Sequence, residues 1–122
     1  VRLWSEGVFR ESSTGIESLV TLAGAADFAC LILAPDDITQ SRGRRIASPR
    51  DNVVFELGLL MGALGRSRVF IVKPAKINIR IPSDLLGLTC LEYARGGNLR
   101  LSERLRPACR AMIKRIGQDG PR

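Results

Sequence analysis

The chain has 122 residues, of which 45% are hydrophobic and 25% charged, with a formal net charge of +7 and no histidine. That length suits one domain with a substantial core, and the composition is ordinary for a globular chain, which argues against disorder. Without histidine, imidazole base catalysis and histidine metal ligation are excluded, so any chemistry rests on carboxylates, hydroxyls or cysteine.

Val1-Arg2-Leu3-Trp4 reads as a short strand, followed by a polar loop over 5–13 that carries Val8 and Phe9. Thr14 and Glu17 form a capping box, which predicts a helix running to about Ala25 with Ile16, Leu19, Val20 and Ala23 as its apolar stripe. The continuous apolar run from Phe28 to Ala34, closed by Pro35-Asp36-Asp37, has the pattern of a strand buried on both faces. A loop of Thr, Ser, Gly and Arg follows. Ser48-Pro49 then opens a helix with Pro at its first position, and Gly65 is its natural stop.

Val69 to Val72 is the next buried strand, Ile79 to Gly87 a loop with at most one helical turn, and Thr89 to Tyr93 a last strand. Leu101, Leu105, Ala108, Met112 and Ile116 mark a closing amphipathic helix, with a short tail from Gly117. We therefore expect one domain over 1–117 and a tail over 118–122.

Strands alternating with helices imply a parallel sheet covered on both faces, with ligand-binding loops gathered at the carboxyl ends of the strands. That edge collects residues 4–15, 35–52 and 73–84. Within the second of these helices Glu56 is the only charge in the run from Val53 to Gly62. At about 100° per residue, Val53, Leu57, Leu60 and Leu64 share one stripe with Val54 and Met61 beside it. Glu56 falls just outside this stripe, above Asn52, while Phe55 and Leu59 extend the apolar character to the other flank. Such a position suits the wall of a pocket, and equally the solvated rim of a core helix.

The remaining composition narrows the partners. Cys30, Cys90 and Cys109 are odd in number, widely spaced and each in an apolar segment, which suits reduced core thiols in a cytoplasmic protein and offers no metal spacing. Apolar stretches are broken by Glu or Gly and fall short of a membrane span. Basic residues cluster at Arg42, Arg44, Arg45 and Arg50 and again from Arg95 to Arg115, but aromatics are not interleaved with them, so nucleic acid is not the expected partner.

The run Ser48-Pro49-Arg50-Asp51-Asn52-Val53-Val54-Phe55-Glu56-Leu57-Gly58, then Gly62, Gly65-Arg66 and Ile81-Pro82-Ser83-Asp84-Leu85, resembles the bacterial TIR-like family of nucleotide-binding domains. Leu3-Trp4, Glu6 to Phe9, Ala26-Asp27-Phe28 and Ala34 to Asp37 fit the same family. The resemblance implies an α/β, flavodoxin-like TIR fold with helices on both faces of a parallel sheet. It also implies that the family's first strand, central in the sheet, and the helix after it are missing from this chain, so that roughly 30 further N-terminal residues are expected.

Members of the family act as antiphage effectors fused to cyclic-nucleotide sensors or STING-like domains, and active ones hydrolyse NAD+ at the nicotinamide–ribose bond. Carried over, the resemblance makes Glu56 the catalytic carboxylate, NAD+ the substrate with no further cofactor, and self-association between TIR domains the trigger. A cyclic-nucleotide sensor, fused or associated, is the implied partner.

Further substrate contacts are candidates only. Trp4 is placed to stack on a base or to pack at a strand end, and Asp84 to bind ribose hydroxyls or to cap a short helix. Arg50 and Asn52 lie at the start of the Glu56 helix and Phe9 in the loop that gates the site; Arg50 is as well suited to a solvated loop. Two other functions compete: a non-catalytic TIR-like nucleotide-binding or interaction module, and an enzyme like the nucleoside deoxyribosyltransferases.

Overall fold

The computed structural model describes residues 15–33, 38–40, 47–49, 51–76 and 89–122, with backbone alone for 38–40, 47–49 and 51–52. In chain order the elements are α1 (Gly15–Ala25), β1 (Ala29–Ile32), β2 (Ile38–Gln40), β3 (Ala47–Pro49), α2 (Asp51–Leu64), β4 (Val69–Pro74), β5 (Thr89–Tyr93) and α3 (Leu101–Asp119). A 3₁₀ turn, Arg66–Arg68, joins α2 to β4.

Strands β1, β4 and β5 form one parallel sheet in that order, with Ala29 opposite Val69 and Phe70 opposite Thr89. Parallel neighbours need a crossover, and α2 supplies it between β1 and β4. Side chains alternate across the sheet, so the two faces collect different residues. On one face Ala29, Leu31, Leu33, Val69 and Ile71 meet Val53, Leu57, Leu60, Met61 and Leu64 of α2. On the other, Val72, Leu91 and Tyr93 meet Leu105, Ala108 and Met112 of α3. Helix α1 packs against α2. Helices thus cover both faces, as expected for the TIR architecture, and the four-residue apolar stripe of α2 is the one its sequence specifies.

Several expectations are corrected. Strand β4 is buried on both faces, but β1 is not: Cys30 and Ile32 are exposed, Ile32 at 59%. The reason is that the α3 cluster is built on β4 and β5, leaving the same face of β1 uncovered among the described residues. Cys30, Cys90 and Cys109 are free and exposed rather than core thiols. In α1 the buried positions are Ser18, Leu19 and Ala23, while Ile16 and Val20 are more than half exposed. The stripe is rotated from the one expected because contact with α2, not the apolar pattern alone, decides which side is covered.

Residues 38–40 and 47–49 are not loop but pair as a short antiparallel ribbon, with Ile38 opposite Pro49. Proline is tolerated at such a strand end, where its missing N–H interrupts no ladder. Helix α2 consequently begins at Asp51, two residues later than expected. It ends as expected, with Gly65 at φ 86° donating its N–H to the Met61 carbonyl at 2.8 Å. Helix α3 continues through Gly117 to Asp119 and stops at Gly120, φ 66°. The strand expected at 1–4 and the loop expected at 79–87 lie outside the described residues. No helix among those described is long and apolar enough to cross a membrane.

Candidate active site at the carboxyl edge of the sheet

Leu33, Pro74 and Tyr93 mark the carboxyl ends of the three parallel strands, the edge where α/β sheets bind ligands. Helix α2 runs away from this edge, so its first turns stand over it. Glu56 lies in the second turn, next to the buried Leu57, and is half-buried. Its neighbour Phe55 is 53% exposed. The boundary position read from the helical wheel is therefore the one observed.

The edge is fixed by two cross-links that local sequence patterns do not announce. The buried Tyr93 hydroxyl donates to the Leu33 carbonyl at 3.0 Å, reaching across β4 to hold the point where the chain leaves β1. The Leu33 N–H in turn donates to the Val72 carbonyl at 2.8 Å. Beside them Lys73 and Glu92, paired in register on β4 and β5, form an ion pair at 2.8 Å. The Lys73 side chain is only 14% exposed while that of Glu92 is 51% exposed, so the pair lies at the rim of the sheet. Cys90, two register steps away and exposed as a residue, has its thiol pushed up from the usual value by partial burial, an effect that Lys73 opposes and Glu92 reinforces. Neither Tyr93 nor Lys73 carries a local signal in the sequence; only the partner across the sheet shows its role.

Of the six residues singled out from sequence, Glu56 alone has a described side chain. Asn52 is placed by its backbone in the first turn of α2, one helical turn before Glu56. Trp4, Phe9, Arg50 and Asp84 lie outside the described residues. No cluster of acidic and thiol ligands able to hold a metal ion occurs among the described residues. A half-buried carboxylate over the carboxyl edge of a parallel sheet can stabilise a cation that develops in a bound ligand.

A parallel sheet in the order β1-β4-β5 with helices on both faces defines the class of layered α/β domains. Residues 1–95 match the family described as the TIR domain of CAP12/Pycsar effector proteins, and the chain belongs to that family. It is 41% identical over its whole length to Pycsar effector protein PaPycTIR of Pseudomonas aeruginosa, covering 40% of that protein. It is 37% identical over 93% of its length to BcPycTIR of Burkholderia cepacia, covering 37% of it. CD-NTase-associated protein 12 of a Lachnospiraceae bacterium is 40% identical over 75% of the chain, which covers 28% of that protein. The chain thus spans no more than about two fifths of these relatives.

Proposed function

We propose that this domain is the NAD+-cleaving effector part of a bacterial antiphage protein, with Glu56 as its catalytic carboxylate. The observation that carries the reading is the half-buried Glu56 in the second turn of α2, at the carboxyl edge of the sheet, in a chain of the TIR effector family. In the proposed reaction the bond between the ribose C1′ and the nicotinamide nitrogen breaks, and its electron pair leaves with nicotinamide. The pyridinium becomes a neutral ring, so the leaving group needs no proton and no general acid. The carboxylate stabilises the oxocarbenium-like ribosyl cation, as in glycosidases. Water then adds at C1′ and releases one proton, giving ADP-ribose. NAD+ is the substrate, and no additional cofactor enters the reaction.

Activation by self-association fits the exposed Phe55 immediately beside Glu56, because a second copy seated there would exclude water from the carboxylate's surroundings. The relatives named Pycsar effectors and CD-NTase-associated proteins support a cyclic-nucleotide signal as the trigger, and the proposed place of action is the cytoplasm. The test is nicotinamide release from NAD+ by the full-length protein across a concentration series, with and without cyclic nucleotides. Wild-type release should climb faster than linearly with concentration and vanish in Glu56→Ala. Absence of release under every condition would refute the reading and favour a binding or scaffolding module.

A further inference from the structure

The sheet edge opposite Glu56 carries a dense polar cluster that the proposed reaction does not use. Its centre is Arg122. The guanidinium donates from Nη2 to the Ala23 and Gly24 carbonyls at 3.1 and 3.2 Å, and from Nε to the Ala26 carbonyl at 3.1 Å. Its Nη1 donates to the Ala63 carbonyl at 3.2 Å. The Arg122 backbone N–H donates to Asp27 Oδ1 at 2.9 Å. Arg68 braces the same corner: it lies 4.8 Å over the Phe28 ring and donates to the Gly120 carbonyl at 2.7 Å.

The acceptors explain why an arginine stands here. Ala23 and Gly24 belong to the last turn of α1, and Ala63 to the last turn of α2. Those are the carbonyls that a helix cannot satisfy internally. Each helix C-terminus carries roughly half a negative charge, so two side by side repel. One guanidinium between them supplies the opposing charge and, through its planar fork, enough donors to serve both ends. The hydrogen bonds therefore join the tail that follows α3 to the ends of α1 and α2.

We propose that Arg122 is a positioning residue for Glu56, a bridge through which the tail after α3 fixes how far α2 stands along the sheet. This inference rests on the reading of Glu56 given above. Seven residues separate Ala63 from Glu56, about 10 Å of helix. Side-chain packing of Leu57 and Leu64 against the sheet holds α2 laterally. The Arg122 fork opposes motion along the helix axis, and a helix is stiff enough to carry a displacement at one end to the other. A shift of about 1 Å at a reacting group can cost up to about a hundredfold in rate.

The experiment uses the full-length protein with Arg122→Lys and Arg122→Ala. The lysine variant keeps the charge and loses the fork, so both variants should release the bridge. Amides of α2 over residues 58–64 should then exchange with deuterium about tenfold faster than in the wild type. For nicotinamide release, kcat should fall by about tenfold with KM unchanged. Unchanged exchange in α2 would overturn the bridge, whether or not the protein cleaves NAD+. Faster exchange with kcat at the wild-type value would overturn the positioning role. Faster exchange in a protein whose wild type releases no nicotinamide would support the bridge and sink the NAD+ reading on which its catalytic consequence depends.

Discussion

Replacing Tyr93 by Phe removes one hydroxyl and leaves the ring in place, so it isolates the hydrogen bond that ties β5 to the end of β1. The bond is buried and spans 60 positions of sequence. Without it the Leu33 carbonyl, on a residue only 2% exposed, keeps its place in the core without the donor that Tyr93 supplied. Loss of a buried partner of this kind costs about 1–3 kcal/mol, because the acceptor remains desolvated. With an unfolding entropy of about 2.1 cal/mol/K per residue, a domain of 122 residues has roughly 0.26 kcal/mol/K at its midpoint. Each kcal/mol then lowers Tm by about 4 °C, so Tyr93→Phe should melt about 4–12 °C below the wild type.

Calorimetry of the two proteins measures this directly. Hydrogen exchange localises it: the Leu33 amide, which donates to Val72, should lose protection more than amides of α3. A melting midpoint within 1 °C of the wild type would refute the reasoning. It would mean that the Leu33 carbonyl recovers a donor, from water or from the chain beyond it, at no cost.

The other predictions are briefer. Leu57→Ala, at a site 2% exposed in the α2 cluster, should cost about 2–5 kcal/mol by urea unfolding, and a loss below 1 kcal/mol would mean that α2 is not seated on the sheet as described. Although Cys30 is exposed, desolvation, and to a lesser degree the neighbouring Cys109, push its thiol up to about 11. At pH 8 it should react with iodoacetamide about tenfold more slowly in the folded than in the urea-unfolded protein, because a hundredfold smaller thiolate fraction is partly offset by greater nucleophilicity. The same raised value should make the folded protein lose stability as pH climbs from 9 to about 11, since the unfolded thiol ionises first, and Cys30→Ser should flatten that loss. Breaking the half-exposed Lys73–Glu92 pair through Glu92→Gln should change stability by less than about 1 kcal/mol, and a larger loss would show the pair to be better shielded than its exposure indicates.

What the sequence made legible were features with a local cause. The run from Val69 to Val72 is apolar at every position because β4 is covered on both faces, and Gly65 ends α2 because it takes a positive φ. The stripe Val53, Leu57, Leu60, Leu64 is read directly from helical geometry, and it placed Glu56 at its boundary. The illegible features depend on partners distant in sequence. The run around β1 resembles that of β4, yet Cys30 and Ile32 are exposed because the α3 cluster is built on β4 and β5. The α1 stripe was misjudged by a rotation for the same reason. Tyr93, Lys73 and Arg122 carry no local signature, because a tyrosine in a strand, a lysine at its end and an arginine in a tail are each unremarkable until their partners 19 to 99 positions away are known.

Those long-range contacts are distributed unevenly, and the distribution bears on function. At the amino edge of the sheet, Arg68 and Arg122 tie α1, α2 and α3 together through backbone carbonyls, contacts that depend little on side-chain identity. At the carboxyl edge, the Tyr93 hydroxyl and the Lys73–Glu92 pair cross-link the strand ends. Helix α2 is thus held at its far end and along its buried stripe, and the turn bearing Glu56 stands over the strand ends. A carboxylate so mounted has a defined height from one end of the helix and a defined floor from the strand ends. Preorganisation of this kind is what the proposed electrostatic stabilisation of a ribosyl cation requires, because the negative charge must be in place before the positive charge develops.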